Sequence, residues 1–260
     1  MTVNDHTHTA RCLHASGTER EYIETAISRG LTELGFSDHC PMPFPGEYRS
    51  GHRMTVEEFP DHIADLLALR EEYRDRIKIR IGLEVEYYPA VFPDLIRLIA
   101  PYPVEYLILG QHFLGNEYDD RLPCSAPTDS EERLAAYVAQ VTEALSTGAF
   151  TYLAHPDVFN FTGEDIIYRK HMSKLIMEAK KRHIPLEYNL LGLNHGRHYP
   201  SHRFWSLVAE YGEPVVIGCD AHEPNRVASV CELLEAYHFL NELRIRTVDH
   251  IQFRPVPKTV

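Results

Sequence analysis

The chain has 260 residues, of which 44% are hydrophobic and 25% charged, a composition typical of a soluble globular protein with a sizeable core. Its 38 acidic residues outnumber 26 lysines and arginines, so the formal net charge is −12. That charge repels nucleic acid and anionic membranes, and no apolar run approaches the roughly 20 residues of a membrane span. We therefore expect neither nucleic acid nor membrane as a partner.

Short apolar runs alternate with longer amphipathic patterns along the chain. The predicted strands are Thr2–Thr7, Thr32–Ser37, Ile79–Val85, Tyr106–Gly110, Tyr152–Ala154, Leu186–Leu190 and Val215–Gly218. The predicted helices are about Glu19–Arg29, Val56–Arg74, Pro93–Ile99, Ser130–Ser146, Asp165–Arg182, His202–Tyr211 and Asn225–Leu243. Seven β-then-α units indicate an α/β fold with a mostly parallel sheet, which right-handed crossovers can close into a barrel. No composition shift interrupts the chain, so residues 1–260 are predicted to form one domain.

The cysteines and histidines are the unusual residues of the composition. Five cysteines form no CxxC pair, and no apolar leader follows Met1. These features predict a reduced, cytoplasmic protein without a disulfide framework. The 16 histidines are either ordinary surface residues or partly organised into a site. These sequence patterns do not indicate whether the protein is a monomer or an oligomer.

Each predicted strand ends in residues that can bind a metal or exchange a proton. In chain order these residues are His6 and His8, Asp38 and His39, Glu84 and Glu86, His112, His155, Asn189 with Asn194, and Asp220 with His222. The C-terminal ends of parallel barrel strands lie on one face, where the active sites of such barrels are built. We therefore predict a functional site at that face.

The residue types favour a transition metal at this site. His6 and His8 are two residues apart on a strand, so both rings point the same way and can reach one cation. Histidine combined with carboxylate suits Zn²⁺, Fe²⁺ or Mn²⁺ better than Mg²⁺ or Ca²⁺. The candidate ligands are His6, His8, His14, His39, Glu84, His112, His155, Asp220 and His222. A single tetrahedral ion uses three or four ligands, so this set fits two or three ions.

These motifs resemble those of the PHP (polymerase and histidinol phosphatase) family of metal-dependent phosphoesterases. The matching segments are HTHTARCLH, SDHC, GLEVE, GQH, AHPD and GCDAH, in the order of the family. Within the family, the chain is most similar to the monofunctional histidinol-phosphate phosphatases, on the segments SDHCPMPFP, SGHRM and GRHYPS. The resemblance implies a distorted (β/α)7 barrel with the metal site at the C-terminal ends of the strands.

The resemblance also implies a division of the ligands among three ions. The first would be held by His6, His8, Glu84 and Asp220, the second by Glu84, His112 and His155, and the third by His14, His39 and His222. Glu84 would therefore bridge two ions. One departure from the family pattern is Asn4, which replaces the usual Asp two residues before the first histidine. We expect Asn4 to orient a ligand by hydrogen bonding.

The implied reaction is hydrolysis of a small phosphate ester, histidinol phosphate, to histidinol and phosphate in histidine biosynthesis. Two or three divalent ions would generate a hydroxide near neutral pH and offset the charge of the phosphoryl oxygens. Glu84 and Asp220 are predicted to be catalytic as metal ligands. Arg53 and Arg197 lie in loops beside the site and are predicted to bind phosphate, because guanidinium offers it a planar fork. Asp38, or a water on a metal, is expected to supply the proton of the leaving alcohol.

Three alternatives fit parts of the pattern. A nuclease of the same family would share the ligands, but the net charge and the lack of a basic groove disfavour it. An amidohydrolase also begins with His-x-His but typically carries a carbamylated lysine on strand four, where this chain has LILGQH. A non-catalytic metal protein would fill the coordination shell of its ion with side chains. The nine candidate ligands are more than one closed shell needs but few for three ions. The histidines that are expected to be solvated are His52, His62, His171, His183, His238 and His250.

Overall fold

A parallel sheet of seven strands lies at the centre of the fold. The computed structural model describes residues 1–119, 122–212 and 214–258. Within these residues the strands are β1 (Val3–Asn4), β2 (Glu33–Phe36), β3 (Lys78–Val85), β4 (Tyr106–Leu109), β5 (Phe113–Leu114), β6 (Leu122–Pro123), β7 (Tyr152–Leu153), β8 (Leu186–Asn189) and β9 (Val215–Gly218). The sheet runs β1-β2-β3-β4-β7-β8-β9 with all neighbours parallel, and β5 pairs with β6 as a separate antiparallel hairpin.

Helices connect most of the successive strands. They are α1 (Glu19–Ser28), α2 (Phe59–Glu72), α3 (Phe92–Ile99), α4 (Glu131–Ser146), α5 (Asp165–Lys181), α6 (Leu190–Asn194), α7 (His202–Tyr211) and α8 (Val230–Glu242). Local chemistry fixes several ends. Thr18 and Glu21 form a capping box at the start of α1. Gly212 ends α7 in the left-handed conformation, with φ of 70°. No helix among the described residues is long and apolar enough to cross a membrane.

The sheet closes on itself at the C-terminal ends of its strands. Thr7 and Ala221 form a parallel bridge between the segments that follow β1 and β9. The His8 amide also donates to the Ala221 carbonyl at 3.0 Å. The Asn4 side-chain oxygen accepts from the Cys219 amide at 2.9 Å. The predicted distorted (β/α)7 barrel is therefore confirmed.

The barrel interior is filled by aromatic side chains below the predicted site. Gly35 and Gly82 leave room for the Tyr106 ring, since a Cβ on either residue would lie within 2.3 Å of a Tyr106 atom. The Tyr106 hydroxyl donates to the Asp5 carbonyl at 2.8 Å. Phe253, from the C-terminal segment, stacks on Tyr106 with 4.4 Å between ring centroids. Apolar packing thus occupies the N-terminal end and leaves the C-terminal end to polar residues.

Several predicted elements differ from the structure. The first strand ends at Asn4, because the following residues turn their side chains into the site and keep only an isolated bridge. The last helix begins at Val230 rather than at residue 225, because Ala228 adopts a positive φ of 49° after a 3-10 turn. The β5–β6 hairpin and the short helix α6 were not predicted. His62 and His171 are buried rather than solvated, because each lies on the inward face of its helix.

Candidate metal centre

The nine predicted ligands lie together at the C-terminal end of the barrel. Sets of three ligand atoms within 4.8 Å of one another are His6–His8–Glu84, His6–His155–Asp220, His39–Glu84–His112 and His14–His39–His222, and a fifth set joins His8 and His222 to Cys12. All nine side chains occur in these sets. The convergence follows from the topology, because each residue stands at or just beyond the end of a parallel strand.

Four of these ligands surround one small space. His6 Nε2 and His8 Nε2 are 3.2 Å apart, and Asp220 Oδ1 lies 3.4 and 3.1 Å from them. The Glu84 oxygens lie 3.8 Å from His6 Nε2 and 3.5 Å from His8 Nε2. Ligands bound tetrahedrally about 2.0–2.1 Å from Zn²⁺ are about 3.3 Å apart. The spacing therefore suits a single transition-metal ion.

The hydrogen bonds of two histidines leave lone pairs facing each other. His14 Nδ1 is 2.7 Å from the Cys12 carbonyl, and His222 Nδ1 is 2.9 Å from the Asp220 carbonyl. A carbonyl only accepts, so both Nδ1 atoms carry the hydrogen and both Nε2 atoms carry the lone pair. The two Nε2 atoms are 3.0 Å apart. Two lone pairs at this distance repel unless a cation or proton lies between them.

Glu84 links the two sides of the cluster. Its Oε1 lies 2.8 Å from His155 Nε2 and 3.6 Å from His112 Nε2, and its Oε2 lies 2.9 Å from His39 Nδ1. Gly110 provides the space for this carboxylate, since a Cβ there would lie 1.9 Å from Glu84 Oε1. Glu84 is thus placed to contact more than one ion.

Burial and neighbouring charges shift the pKa values of the residues in the cluster in opposite directions. Burial lowers the pKa of His6, but the Glu187 and Asp220 carboxylates outweigh it and raise that pKa well above its usual value. In His39 and His222 burial prevails and lowers the pKa to about 3. Burial raises the pKa of Asp220, yet His6 and His8 hold it well below the usual range. The carboxylate side of the cluster therefore attracts positive charge.

Two further carboxylates support the ligands. Glu187 Oε1 is 2.7 Å from His6 Nδ1, and its Oε2 accepts from the His155 amide at 3.0 Å. Glu86 Oε1 is 3.1 Å from His112 Nδ1. A carboxylate on the far nitrogen of a metal-binding imidazole fixes its tautomer and strengthens it as a ligand. Glu187 was missed by sequence reasoning, although it stands two residues before Asn189 and shares its face of β8.

Asp38 and Asn4 lie beneath the cluster. The Asp38 carboxylate is fully buried, accepts from the Thr9 amide at 3.1 Å and lies 3.5 Å from His8 Nδ1. This position favours orientation of His8 over protonation of a leaving group. The side-chain amide of Asn4 donates to the His6 carbonyl at 3.1 Å, so Asn4 holds the backbone of a candidate ligand in place.

A cavity of about 170 Å³ adjoins the cluster and is bordered by both predicted phosphate-binding arginines. Arg197 is exposed and donates to the Tyr199 hydroxyl at 2.8 Å. Arg53 is buried and already bonded to Glu86 and Glu117, a pairing that sequence reasoning missed. Of these two arginines, Arg197 is therefore the one that is open to solvent. His52, expected to be solvated, is exposed but also borders this space.

The fold and the cluster define an α/β barrel with a metal site of histidines and carboxylates at its C-terminal mouth. Among known families, the PHP domain matches residues 5–190, and the chain belongs to that family. The expected family resemblance is therefore confirmed.

Relatives and solved structures extend this result over most of the chain. The chain is 30% identical over 239 residues to a probable histidinol-phosphatase of Deinococcus radiodurans, covering 86% of this chain and 87% of that one. It is 24% identical to a probable histidinol-phosphatase of Schizosaccharomyces pombe, covering 91% and 86% of the two chains. A histidinol phosphate phosphatase of Lactococcus lactis, solved with Zn, L-histidinol and phosphate, shares the fold with a TM-score of 0.73 at 16% identity, over 96% and 98% of the two chains.

Proposed function

We propose that this protein is a metal-dependent phosphomonoesterase that converts L-histidinol phosphate and water to L-histidinol and phosphate in histidine biosynthesis. The observation that carries the proposal is the nine-residue cluster opening onto a small cavity that Arg197 borders. The names of the two sequence relatives support this substrate. A cavity of about 170 Å³ suits a small monoester rather than a polynucleotide.

The cluster fits divalent transition metals, and we infer three ions of Zn, Fe or Mn. When bound, such ions lower the pKa of a water molecule and offset the charge of the phosphoryl oxygens. Glu84 and Asp220 supply the negative charge that holds cations in this buried place. Glu187 and Glu86 orient the rings of His6 and His112 from behind.

The residues around the cavity give each part of the substrate a place. Arg197 offers its guanidinium to the phosphate oxygens, while Arg53 holds Glu86 against His112. Asp38 orients His8 from below. The Glu86 carboxylate borders the cavity beside Arg53, and it offers a negative group to the cationic amine of histidinol.

The proposal is tested by measuring phosphate release from histidinol phosphate, other small monoesters and short oligonucleotides, with and without chelator. We expect fastest release from histidinol phosphate, abolished by chelator and by Glu84→Gln. His238→Ala, which changes an exposed histidine on α8, is the matched control and should behave like the wild type. Chelator-insensitive release, or release from oligonucleotides alone, would contradict the proposal.

A further inference from the structure

A buried carboxylate lies at the N-terminal end of the barrel without a side-chain partner. Asp5 directly follows β1 and is only 8% exposed, and its Oδ1 atom has no hydrogen-bond partner among the described residues. The nearby Tyr106 hydroxyl donates to the backbone carbonyl of Asp5 rather than to its carboxylate. Buried polar groups are almost always hydrogen-bonded, and an unpaired buried charge is costly. The Asp5 carboxylate is therefore available to a cation.

The basic groups at this end of the barrel are already paired with other carboxylates. Arg80 lines the same cavity as Asp5, but its guanidinium lies 3.1 Å from Glu33 and 2.8 Å from Glu105. Lys78 lies 3.2 Å from Glu33. Two basic side chains thus balance two carboxylates, and the charge of Asp5 comes in addition to this balance.

Asp5 borders a cavity of about 310 Å³ that also has apolar walls. These walls are Val3 of β1 and two residues of the C-terminal segment, Ile251 and Phe253. The exposed His250 stands at the edge, with its Nδ1 4.0 Å from Glu33. Among the described residues, no set of three metal-binding side chains includes Asp5. A carboxylate beside apolar walls suits an organic cation better than a metal ion, which needs several oxygen ligands.

The cavity is separate from the metal cluster. Its lining residues Glu33 and Arg80 stand near the N-terminal ends of β2 and β3, whereas the candidate metal ligands stand at the C-terminal ends of the strands. Ile251 and Phe253 also lie beyond residues 5–190, which match the PHP domain. A ligand in this cavity would therefore not occupy the place proposed for the substrate.

We propose that this cavity binds a small primary amine in its ammonium form, with the charge against Asp5 and the apolar body against Ile251 and Phe253. An ammonium group carries three donors, and the carboxylate oxygens of Asp5 accept hydrogen bonds from it. Burial of the apolar body against the two side chains adds to the binding. A volume of about 310 Å³ lies at the lower end of the range for ligand cavities, so the amine is small.

The test is an NMR titration of the isotope-labelled full chain with isobutylamine at about pH 8, where a primary amine is protonated. The amide signals of Val3 and Ile251 are followed, and isobutanol is titrated in parallel as a neutral molecule of similar shape. We expect saturable shifts, with a Kd for isobutylammonium about tenfold or more below that for isobutanol. Asp5→Asn should remove this difference, while Asp75→Asn, which changes an exposed carboxylate, should behave like the wild type.

Equal affinities for the ammonium and the alcohol would overturn the inference, as would the absence of saturable shifts at Val3 and Ile251. Shifts confined to residues of the metal cluster would also overturn it, because the amine would then bind at the opposite end of the barrel. The comparison of the two ligands in the wild type is decisive even if Asp5→Asn disturbs the adjacent His6. None of these outcomes depends on hydrolysis of histidinol phosphate.

Discussion

Glu187→Gln tests whether the carboxylate behind His6 strengthens the metal site. The glutamine keeps the size and one acceptor but removes the charge. Glu187 Oε1 faces His6 Nδ1 at 2.7 Å, while Oε2 accepts from the His155 amide and the Asn189 amide group, both at 3.0 Å. All three partners are donors, so the amide group of glutamine must face at least one of them, and that hydrogen bond is lost.

The expected loss is about 10–100-fold in metal affinity, the range for removing such a supporting carboxylate. This equals about 1.4–2.8 kcal/mol at about 1.4 kcal/mol per tenfold change. The structure places Glu187 at the upper part of this range, because one carboxylate supports two candidate ligands and is fully buried. A Cβ on Gly218 would lie 1.7 Å from Glu187 Oε1, so the fold leaves it little freedom to move.

The assay is competition for Zn²⁺ between the protein and a chromogenic chelator of known affinity. Glu242→Gln is the matched control, because Glu242 lies 3.5 Å from His238 in an exposed pair on α8. We expect the control to bind like the wild type. Wild-type affinity in Glu187→Gln, with circular dichroism also unchanged, would refute the role given to this carboxylate.

Three further predictions concern the cavity and the barrel. Gly110→Ala should lower phosphate release about 10–100-fold with unchanged circular dichroism, because the new Cβ would displace Glu84. Arg197→Gln should raise KM for histidinol phosphate about tenfold or more, and change kcat less, since a charged hydrogen bond to phosphate is lost; steady-state kinetics measures both. Phe253→Ala should lower the free energy of unfolding in urea by about 1–2 kcal/mol, less than for a fully buried ring, whereas Ile166→Ala, 73% exposed, should not.

The fold and the nine converging side chains could be predicted from the sequence because strand ends of one polarity meet at one face. The segment LEVEYY, for example, places Glu84 two residues from Glu86 at the end of β3. Residues two apart on a strand point to the same face, so this spacing can be read from the sequence alone. The parallel order of the strands then brings their C-terminal ends, and the side chains that they carry, to one end of the barrel.

The supporting contacts could not be predicted, because they join distant parts of the chain. Glu187 is 181 residues from His6, and Arg53 is 64 residues from Glu117. No spacing in the sequence indicates either pair. The first strand was predicted to run to Thr7 but ends at Asn4, because residues that turn into a site resemble a strand in pattern but leave the hydrogen-bond ladder.

Crystals of the protein grown with Zn²⁺, with anomalous diffraction measured on both sides of the zinc absorption edge, test the metal centre most directly. We predict anomalous peaks at about 2.0–2.2 Å from ligand atoms of His6, His8, Glu84 and Asp220, and further peaks beside His155 and His14. Peaks confined to surface histidines, with none inside the barrel mouth, would contradict a metal centre formed by these residues.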